Sequence, residues 1–370
     1  MENQNFKPHD RNQFCWPVAG IILAIGLATA TNPAKATHVP FETGIAVLIA
    51  EMMLVVILSA HPVGARAGVL VAGLFLLLPL FVTTSPLSRC LLACFMCVPF
   101  GAATGLLFVP RPANFRARLA QMFAYFHRGR VTRRARGFDA AALLQLITAT
   151  AVLAAAIAAV KLVSGPGFSQ PVRWLAGGIG ILAAAEMATA CHNFATKLMG
   201  LTVPPLFQSP YRSASISEFW AQRWNLPASE LLRKYCFAPL ARRGVGLALL
   251  TVFAVSAVGH ALLAYLGLGR WRMAAACGAF FLVQPLFILA ERWLNVRWWR
   301  PMAGRAWTLA VLATTSPLFV KPTLQIIERS WGATGNVLLP TAAVLGFVIV
   351  LSSITSLASL ASPSVVELGR

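Results

Sequence analysis

The feature that most constrains this chain is a succession of apolar runs, each long enough to cross a lipid bilayer. A membrane-spanning helix needs about 20 predominantly apolar residues. The sequence contains ten such runs, at residues 14–31, 42–60, 67–84, 89–109, 138–163, 172–191, 244–267, 272–290, 303–320 and 336–360. We therefore predict an all-α, polytopic integral membrane protein with about ten transmembrane helices, accompanied by amphipathic or re-entrant segments on the cytoplasmic side.

The amino-acid composition excludes the two main alternatives to a membrane protein. Hydrophobic residues make up 58% of the 370 residues and charged residues only 11%, against roughly 25% charged residues in soluble globular domains. So few polar residues cannot cover the surface of a water-soluble fold of this size. The apolar content also excludes an intrinsically disordered chain, because disorder requires low hydrophobicity. A single integral-membrane domain over residues 1–370 is predicted.

Positive charge gives the orientation of these spans. The formal net charge is +20, and the Lys and Arg residues lie in short segments between the apolar runs. Eight Arg lie between residues 111 and 136, and seven basic residues lie between 197 and 243. Since cytoplasmic segments of membrane proteins are enriched in Lys and Arg, we expect both termini on the cytoplasmic side. Contact with anionic lipid headgroups explains this charge better than a nucleic-acid partner does.

Two of the cytoplasmic segments are too long to be simple turns. Residues 111–137 interleave Arg with Phe, Met and Leu at helical spacing, which predicts an amphipathic helix on the membrane surface. Residues 192–243 are rich in Pro, Trp, Phe and Arg and form no clean span. Irregular backbone at membrane depth persists only when it is buried in protein or lines a cavity, so this second segment is a candidate site.

Two motifs between residues 205 and 260 contain candidate catalytic side chains. The first consists of Pro205-Leu-Phe-Gln-Ser-Pro210 followed by Phe219-Trp-Ala-Gln-Arg-Trp-Asn225, and the second is Ser256-Ala-Val-Gly-His260 within an apolar run. Together they resemble the wax-synthase-like branch of the membrane-bound O-acyltransferase family. The resemblance covers about residues 190–300, the predicted catalytic core. It departs from the family pattern at Ala257 and Ala261, where Gly and Glu are common.

The resemblance implies transfer of an acyl group from acyl-CoA, as co-substrate, to the hydroxyl of a lipophilic alcohol drawn from the bilayer. A positioned His can remove the hydroxyl proton near neutral pH, which makes His260 the predicted general base. Asn225 is predicted either to stabilise the oxyanion or to position the acceptor hydroxyl. The residues predicted to bind substrate are Phe219, Trp220, Arg223, Trp224 and Ser256. No bound cofactor is predicted, and no residues show metal-ligand spacing.

Alternatives within and outside this enzyme class stay open at this point. One is an acetyltransferase that acts on a sterol, terpenoid or other natural-product alcohol, because acceptor size depends on the shape of a tunnel. The other is a transporter or flippase in which Glu51, Glu186 and His260 act as relay groups. A transporter would show corresponding broken helices in two halves, and the only internal echo is the pentapeptide Thr-Thr-Ser-Pro-Leu at residues 83–87 and 314–318. Acyl length, acceptor identity and oligomeric state are left open by the sequence.

Overall fold

The fold is taken from a computed structural model. It describes residues 19, 41–82, 85–107, 115, 118, 132–133, 135–163 and 169–334. The chain divides into two compact units, one formed by Met1–Gly129 with Leu357–Arg370 and the other by Arg130–Ser356. The first and tenth predicted spans and most of the predicted surface helix over 111–137 lie outside the described residues. The prediction of a single integral-membrane domain over residues 1–370 stays a prediction.

Three of the four described helices of the first unit begin at proline. Its described helices are α1 (Phe41–Leu58), α2 (Pro62–Phe75), α3 (Pro79–Val82) and α4 (Pro86–Leu107). Proline suits the first turn of a helix, where its missing N–H would have no intrahelical partner. The helices pack around a buried cluster that includes Val55, Val56, Val69 and Ala72. Glu51 of α1 is also buried in this unit.

The second unit combines four long helices with a run of short elements. Its helices are α5 (Ala140–Leu162), α6 (Ser169–Leu198), α7 (Ile216–Glu218), α8 (Leu226–Leu232), α9 (Ala238–Ala241), α10 (Val245–Leu268), α11 (Trp271–Trp293), α12 (Pro301–Thr315) and α13 (Pro317–Thr334). The shorter elements are antiparallel strands β1 (Thr132–Arg133) and β2 (Leu201–Thr202), 3-10 turns Pro210–Arg212 and Val296–Trp298, and π-helical turns Phe219–Arg223 and Arg233–Phe237. The predicted surface helix over residues 111–137 is therefore wrong near its end, where Thr132–Arg133 form strand β1.

The long helices agree with an all-α membrane protein. Among the described residues, five stretches are long and apolar enough to cross a bilayer, namely Pro62–Phe81, Ala140–Leu162, Ser169–Leu198, Val245–Leu268 and Trp271–Trp293. Helices α12 and α13 add a sixth only if they form one span across a bend of 56°. The predicted architecture is thus confirmed as an all-α, multi-pass membrane protein, whereas the number of ten spans stays a prediction.

The bend between α12 and α13 corrects the prediction of one continuous helix over residues 303–320. The chain breaks at Ser316 because Pro317 has no backbone N–H and its ring clashes with the carbonyl four residues earlier. A helix can resume after the proline, since Pro is tolerated in a first helical turn. Ser316 keeps right-handed helical dihedral angles and forms the turn between the two helices of the second unit.

Helices α10 and α11 form the wall against which the short elements pack. Gly278 of α11 allows the close approach, because a Cβ atom there would lie 3.3 Å from the Ala257 carbonyl oxygen of α10. A buried cluster including Ile216, Phe253 and Phe281 joins α7 to this helix pair. The start of the short-element run is thus fixed to the two regular helices.

Candidate active site

An apolar cavity of about 360 Å³ lies within the second unit. Its walls come from α6, α10, α11, the α12–α13 break and residues 203–225, which we call the motif segment. Of the residues predicted from the sequence to form the site, those that line the cavity are Phe219, Trp220, Trp224, Asn225 and His260. Apart from two indole groups, the polar side chains along the described walls are those of Asn225, His260 and Ser316. The cavity thus suits a hydrocarbon-rich ligand with few polar groups.

His260 enters the cavity from the regular helix α10. Its Nδ1 atom lies 2.8 Å from the carbonyl oxygen of Ser256, one turn earlier. A carbonyl can only accept a hydrogen bond, so in the neutral ring Nδ1 carries the proton and Nε2 keeps a lone pair. The imidazole also stacks on Phe281, with ring centroids 4.0 Å apart. This arrangement fixes the ring and leaves Nε2 as the basic nitrogen.

Asn225 reaches the same cavity from an irregular part of the chain. It follows the π-helical turn and adopts a left-handed backbone conformation, with φ of 42°. Asn is one of the few side chains that tolerate this conformation. Its Oδ1 atom accepts a hydrogen bond of 3.4 Å from the backbone N–H of Ala228 and so caps α8. The amide hydrogens on Nδ2 are the donors that it can offer to a ligand.

Aromatic rings build the wall between these two residues. Phe219 stacks on Trp224, with centroids 5.4 Å apart, and Phe207 meets the same indole edge-on at 5.0 Å. Trp220 is fixed by its Nε1–H, which donates to Gln284 Oε1 at 3.2 Å. Because Trp220 is held by a buried amide of α11, its orientation depends on tertiary contact and not on its own short helix.

Arg223 and Ser256 are the two predicted substrate-binding residues that do not line the cavity. Arg223 Nε donates to Glu218 Oε1 at 2.6 Å and its Nη1 donates to the Gln208 carbonyl at 3.1 Å. These bonds close the motif segment on itself. Ser256 contributes its backbone carbonyl to His260, while its hydroxyl lies 3.5 Å from Nδ1. In this structure both residues position the site from outside the cavity.

Glu291 is the functional neighbour that sequence reasoning missed. Its buried carboxylate accepts hydrogen bonds from the backbone N–H groups of Ile216 at 2.5 Å and Ser217 at 3.1 Å. It also accepts one from Trp307 Nε1 at 2.9 Å. The sequence feature that could have identified Glu291 is its place directly after the apolar run 272–290. A carboxylate at such a position needs hydrogen-bond partners. Glu291 therefore anchors the start of α7, within the motif segment.

A second anchor holds the other end of the motif segment. The backbone N–H of Phe207 donates to Thr189 Oγ1 of α6 at 3.1 Å. Two local hydrogen bonds, similar to those of a capping box, also stabilise this segment. The Glu218 N–H donates to Ser215 Oγ at 2.9 Å, and Glu218 Oε2 accepts from the Ala214 N–H at 2.7 Å. Side chains thus satisfy the backbone donors that this segment does not pair in a long helix.

The remaining acidic and histidine side chains do not assemble a further centre in the described part of the chain. No group of three or more His, Cys, Asp or Glu residues there could hold a metal ion. Glu186, considered above as a relay group, accepts a hydrogen bond of 2.6 Å from Gln145 of α5. It is not among the residues that line the cavity.

Comparison with known protein families matches a segment that contributes to this cavity. Residues 203–283 match the model of the membrane bound O-acyl transferase family. The chain is 29% identical over 149 residues to the probable long-chain-alcohol O-fatty-acyltransferase 3 of Arabidopsis thaliana, a match that covers 35% of this chain and 43% of that protein.

Two further relatives carry related names. The chain is 30% identical over 152 residues to acyl-CoA–sterol O-acyltransferase 1 of Arabidopsis thaliana, covering 37% of this chain and 44% of the relative. It is 37% identical over 71 residues to the long-chain-alcohol O-fatty-acyltransferase of Simmondsia chinensis, covering 17% and 20%. The matched region spans less than half of each of these relatives. The predicted resemblance to the wax-synthase-like branch of the membrane-bound O-acyltransferases is confirmed.

Proposed function

We propose that this protein is an acyl-CoA-dependent O-acyltransferase that esterifies the hydroxyl of a lipophilic alcohol within the membrane. The observation that carries the proposal is the meeting of His260 and Asn225 at one apolar cavity, although they come from separate elements. Both lie within residues 203–283, which match the O-acyl transferase family. We take residues 1–370 as one functional domain, with its catalytic core at 190–300.

The two polar side chains divide the proposed reaction between them. His260 Nε2 takes the proton of the bound alcohol as the alcohol oxygen attacks the thioester carbonyl carbon, a general-base role worth about 10²–10⁴ in rate. The new C–O bond leaves a negative charge on the carbonyl oxygen, to which Asn225 Nδ2 donates a hydrogen bond. When the tetrahedral intermediate collapses, the C–S bond breaks and the imidazolium returns its proton to the CoA sulfur. The products are an ester and free CoA.

The environment of His260 supports this role through its second nitrogen. The Nδ1–H···O=C bond to Ser256 is 2.8 Å long, and such a bond strengthens when the ring becomes positively charged. The same bond keeps Nε2 free for the substrate. The apolar walls disfavour water in the cavity, which protects the thioester from hydrolysis while the alcohol is bound. Acyl-CoA enters from the cytoplasmic side in this proposal, and both termini lie on that side.

A sterol or terpenoid alcohol is a second candidate acceptor. The observation that favours it is the similarity to a sterol O-acyltransferase at 30% identity, beside 29% for a long-chain-alcohol enzyme. Both relatives match about the same share of this chain. We therefore place both acceptor classes in the same experiment.

The proposal is tested in membranes that lack endogenous ester synthesis. Labelled palmitoyl-CoA or acetyl-CoA is supplied with a panel of fatty, sterol and terpenoid alcohols, and the ester is quantified. We expect ester from the wild type and a loss of at least about a hundredfold in His260→Ala. The matched control is His61→Ala, because His61 is exposed at the start of α2. Equal ester from His260→Ala would overturn the assignment of the base, and no ester with any pair would overturn acyl transfer itself.

A further inference from the structure

The break between α12 and α13 carries a polar group whose role is not explained by the reaction described above. Pro317 cannot donate to the carbonyl of Ala313, so that carbonyl loses the backbone partner it would have in a continuous helix. The hydroxyl of Ser316 replaces this partner and donates to the Ala313 oxygen at 2.9 Å. The Ser316 hydrogen is thereby used, while no group within the described residues donates to its oxygen.

This break lies on the cavity that holds His260 and Asn225. Ala313, Ser316 and Phe319 all line that cavity, and the Phe319 ring lies 6.1 Å from the imidazole of His260. Backbone irregularity at membrane depth is tolerated where it lines a cavity, and this break obeys that rule.

Hydrogen bonds fix the break to the motif segment. The hydroxyl of Thr315 accepts a bond of 3.3 Å from Gln284 Nε2, and the same amide accepts from Trp220 Nε1. Gln284 is fully buried. Ser316, next in the chain to Thr315, is therefore held at a defined place relative to the aromatic wall. A group fixed in this way can contribute to binding with little loss of its own freedom.

Two of the three polar side chains of the cavity have a role in the proposed reaction. His260 accepts the proton and Asn225 donates to the oxyanion, which leaves Ser316 without a partner in the reaction. A serine oxygen accepts up to two hydrogen bonds. Ser316 is half-buried at the wall of this largely apolar cavity, where a ligand that supplies a donor to its oxygen gains a hydrogen bond.

We propose that Ser316 is a substrate-binding residue whose Oγ accepts a hydrogen bond from an O–H or N–H group of a substrate bound beside His260. The inference rests on the proposed acyl transfer and deepens it by naming a second polar contact. A simple alcohol has one hydroxyl hydrogen, which is directed at Nε2. The donor is thus either a second hydroxyl of the acceptor or an amide N–H in the pantetheine arm of acyl-CoA.

The test compares Michaelis constants in purified membranes that contain the full chain. Three variants are measured: Ser316→Ala removes the acceptor oxygen, Ser316→Thr retains it, and Thr314→Ala is the matched control. Thr314 makes the same kind of bond to a preceding carbonyl, at 2.9 Å to Ala310, but it is exposed and does not line the cavity. Palmitoyl-CoA is titrated against hexadecanol and against a hexadecanediol of the same chain length.

We expect Ser316→Ala to raise KM about three- to tenfold for the substrate that supplies the donor, with little change in kcat, since one neutral hydrogen bond is lost. Ser316→Thr restores the wild-type KM and Thr314→Ala keeps it. A rise confined to palmitoyl-CoA assigns the donor to pantetheine, and a rise confined to the diol assigns it to a second hydroxyl.

KM does not depend on the amount of folded enzyme, so a poorly expressed variant still gives an answer. An unchanged KM for every substrate in Ser316→Ala overturns the inference. An equal fall of kcat in Ser316→Ala and Thr314→Ala also overturns it, because that result would report a general effect of the helix end. If the wild type makes ester and KM stays unchanged, only the role of Ser316 fails. If the wild type makes no ester from any pair, acyl transfer fails as well.

Discussion

The two polar residues assigned to catalysis are presented by regions of opposite character. His260 lies on α10, a regular helix of 24 residues whose backbone bonds are internal. Asn225 ends the motif segment, in which the longest helical element is a five-residue π-helical turn. The first region positions its side chain through the helix itself. The second depends on side chains from distant parts of the chain.

The physical reason for this difference is the supply of hydrogen-bond partners. A helix satisfies its own backbone in an apolar environment, so α10 needs little from its neighbours. The motif segment instead relies on Glu291 for the N–H groups of Ile216 and Ser217, and on Thr189 for that of Phe207. We therefore expect substitutions to be far more damaging at the anchors of the motif segment than at comparable positions of the regular helices.

The largest effect on activity is expected at Asn225, the residue of the irregular region that is proposed to take part in the reaction. Asn225→Gly keeps the left-handed backbone accessible but removes the amide donor, so we predict a fall of about 10²–10³ in kcat for ester formation. Thermal unfolding in detergent should change by only a few tenths of a kcal/mol, because glycine is a tolerable helix cap.

Asn225→Ala is the companion to this variant. It should lose the same activity and in addition about 1–2 kcal/mol of stability, since alanine has neither the capping oxygen of asparagine nor the freedom of glycine in the left-handed region. If Asn225→Gly retained activity within tenfold of the wild type, the segment would serve only to close the cavity. The division of labour between the two regions would then be wrong.

The next effect concerns the anchor at Glu291. Glu291→Ala leaves two backbone N–H groups and the Trp307 indole N–H without their acceptor. Buried donors that lose their partner cost about 1–3 kcal/mol each, and we predict a total loss of about 3 kcal/mol in the free energy of unfolding, measured by thermal or denaturant unfolding in detergent.

A matched control for Glu291 comes from the long helices. Glu328 of α13 pairs with Arg173 of α6, and both side chains are partly exposed. Glu328→Ala should cost less than about 1 kcal/mol, as partly exposed ion pairs usually do. Equal losses in the two variants would contradict the view that the motif segment depends on its anchors more than the helices depend on theirs.

The regular region was largely predictable from the sequence, and the anchors were not. The spans predicted at 138–163 and 244–267 match α5 and α10 closely, because apolar runs report helices in membranes. Ser256 and His260 were expected together because the motif that contains them resembles that of the O-acyltransferase family, and on α10 the Ser256 carbonyl does contact His260. The contacts of Glu291 and Trp220 join residues 75 and 64 positions away. Such pairings leave no local pattern in a single sequence.

The break at Ser316 is an intermediate case between these two. Its cause, Pro317, is visible in the sequence, yet the apolar run continues across it. Hydropathy therefore predicted one span over 303–320 where the structure has two helices bent by 56°. Hydropathy reports apolar content and does not detect the loss of one backbone donor, so the resumption of the helix as α13 and the place of Ser316 on the cavity were missed.

A smaller effect is expected at the second anchor, Thr189. Thr189→Val keeps the shape of the side chain and removes the acceptor for the Phe207 N–H. We predict a loss of about 1 kcal/mol in the free energy of unfolding, together with loss of ester formation at a lower temperature than in the wild type. The control is Thr196→Val on the same helix, where the hydroxyl bonds only to carbonyls of its own preceding turn. If both variants behaved alike, Thr189 would not be a specific support of the motif segment.

The smallest effect is expected at a helix end in the regular region. Asp139 caps α5 by accepting a bond of 3.0 Å from the Ala142 N–H, and it pairs with Lys197 at 3.1 Å. The cap first, and then Lys197, lower the pKa of Asp139 below its ordinary value. A carboxylate with a lowered native pKa stabilises the fold above the unfolded pKa, which is about 3.9. That stabilisation is lost as the pH falls through the native pKa.

Asp139→Asn should therefore keep the cap, since Asn is an equally good capping residue, and lose only the ion pair. We predict a change of a few tenths of a kcal/mol at pH 7 and a weaker fall in Tm between about pH 4 and pH 3 than in the wild type. A loss at pH 7 as large as that of Glu291→Ala would show that one ion pair at a helix end matters as much to a regular helix as a distant anchor does to the motif segment. The contrast between the two regions depends on that loss being small.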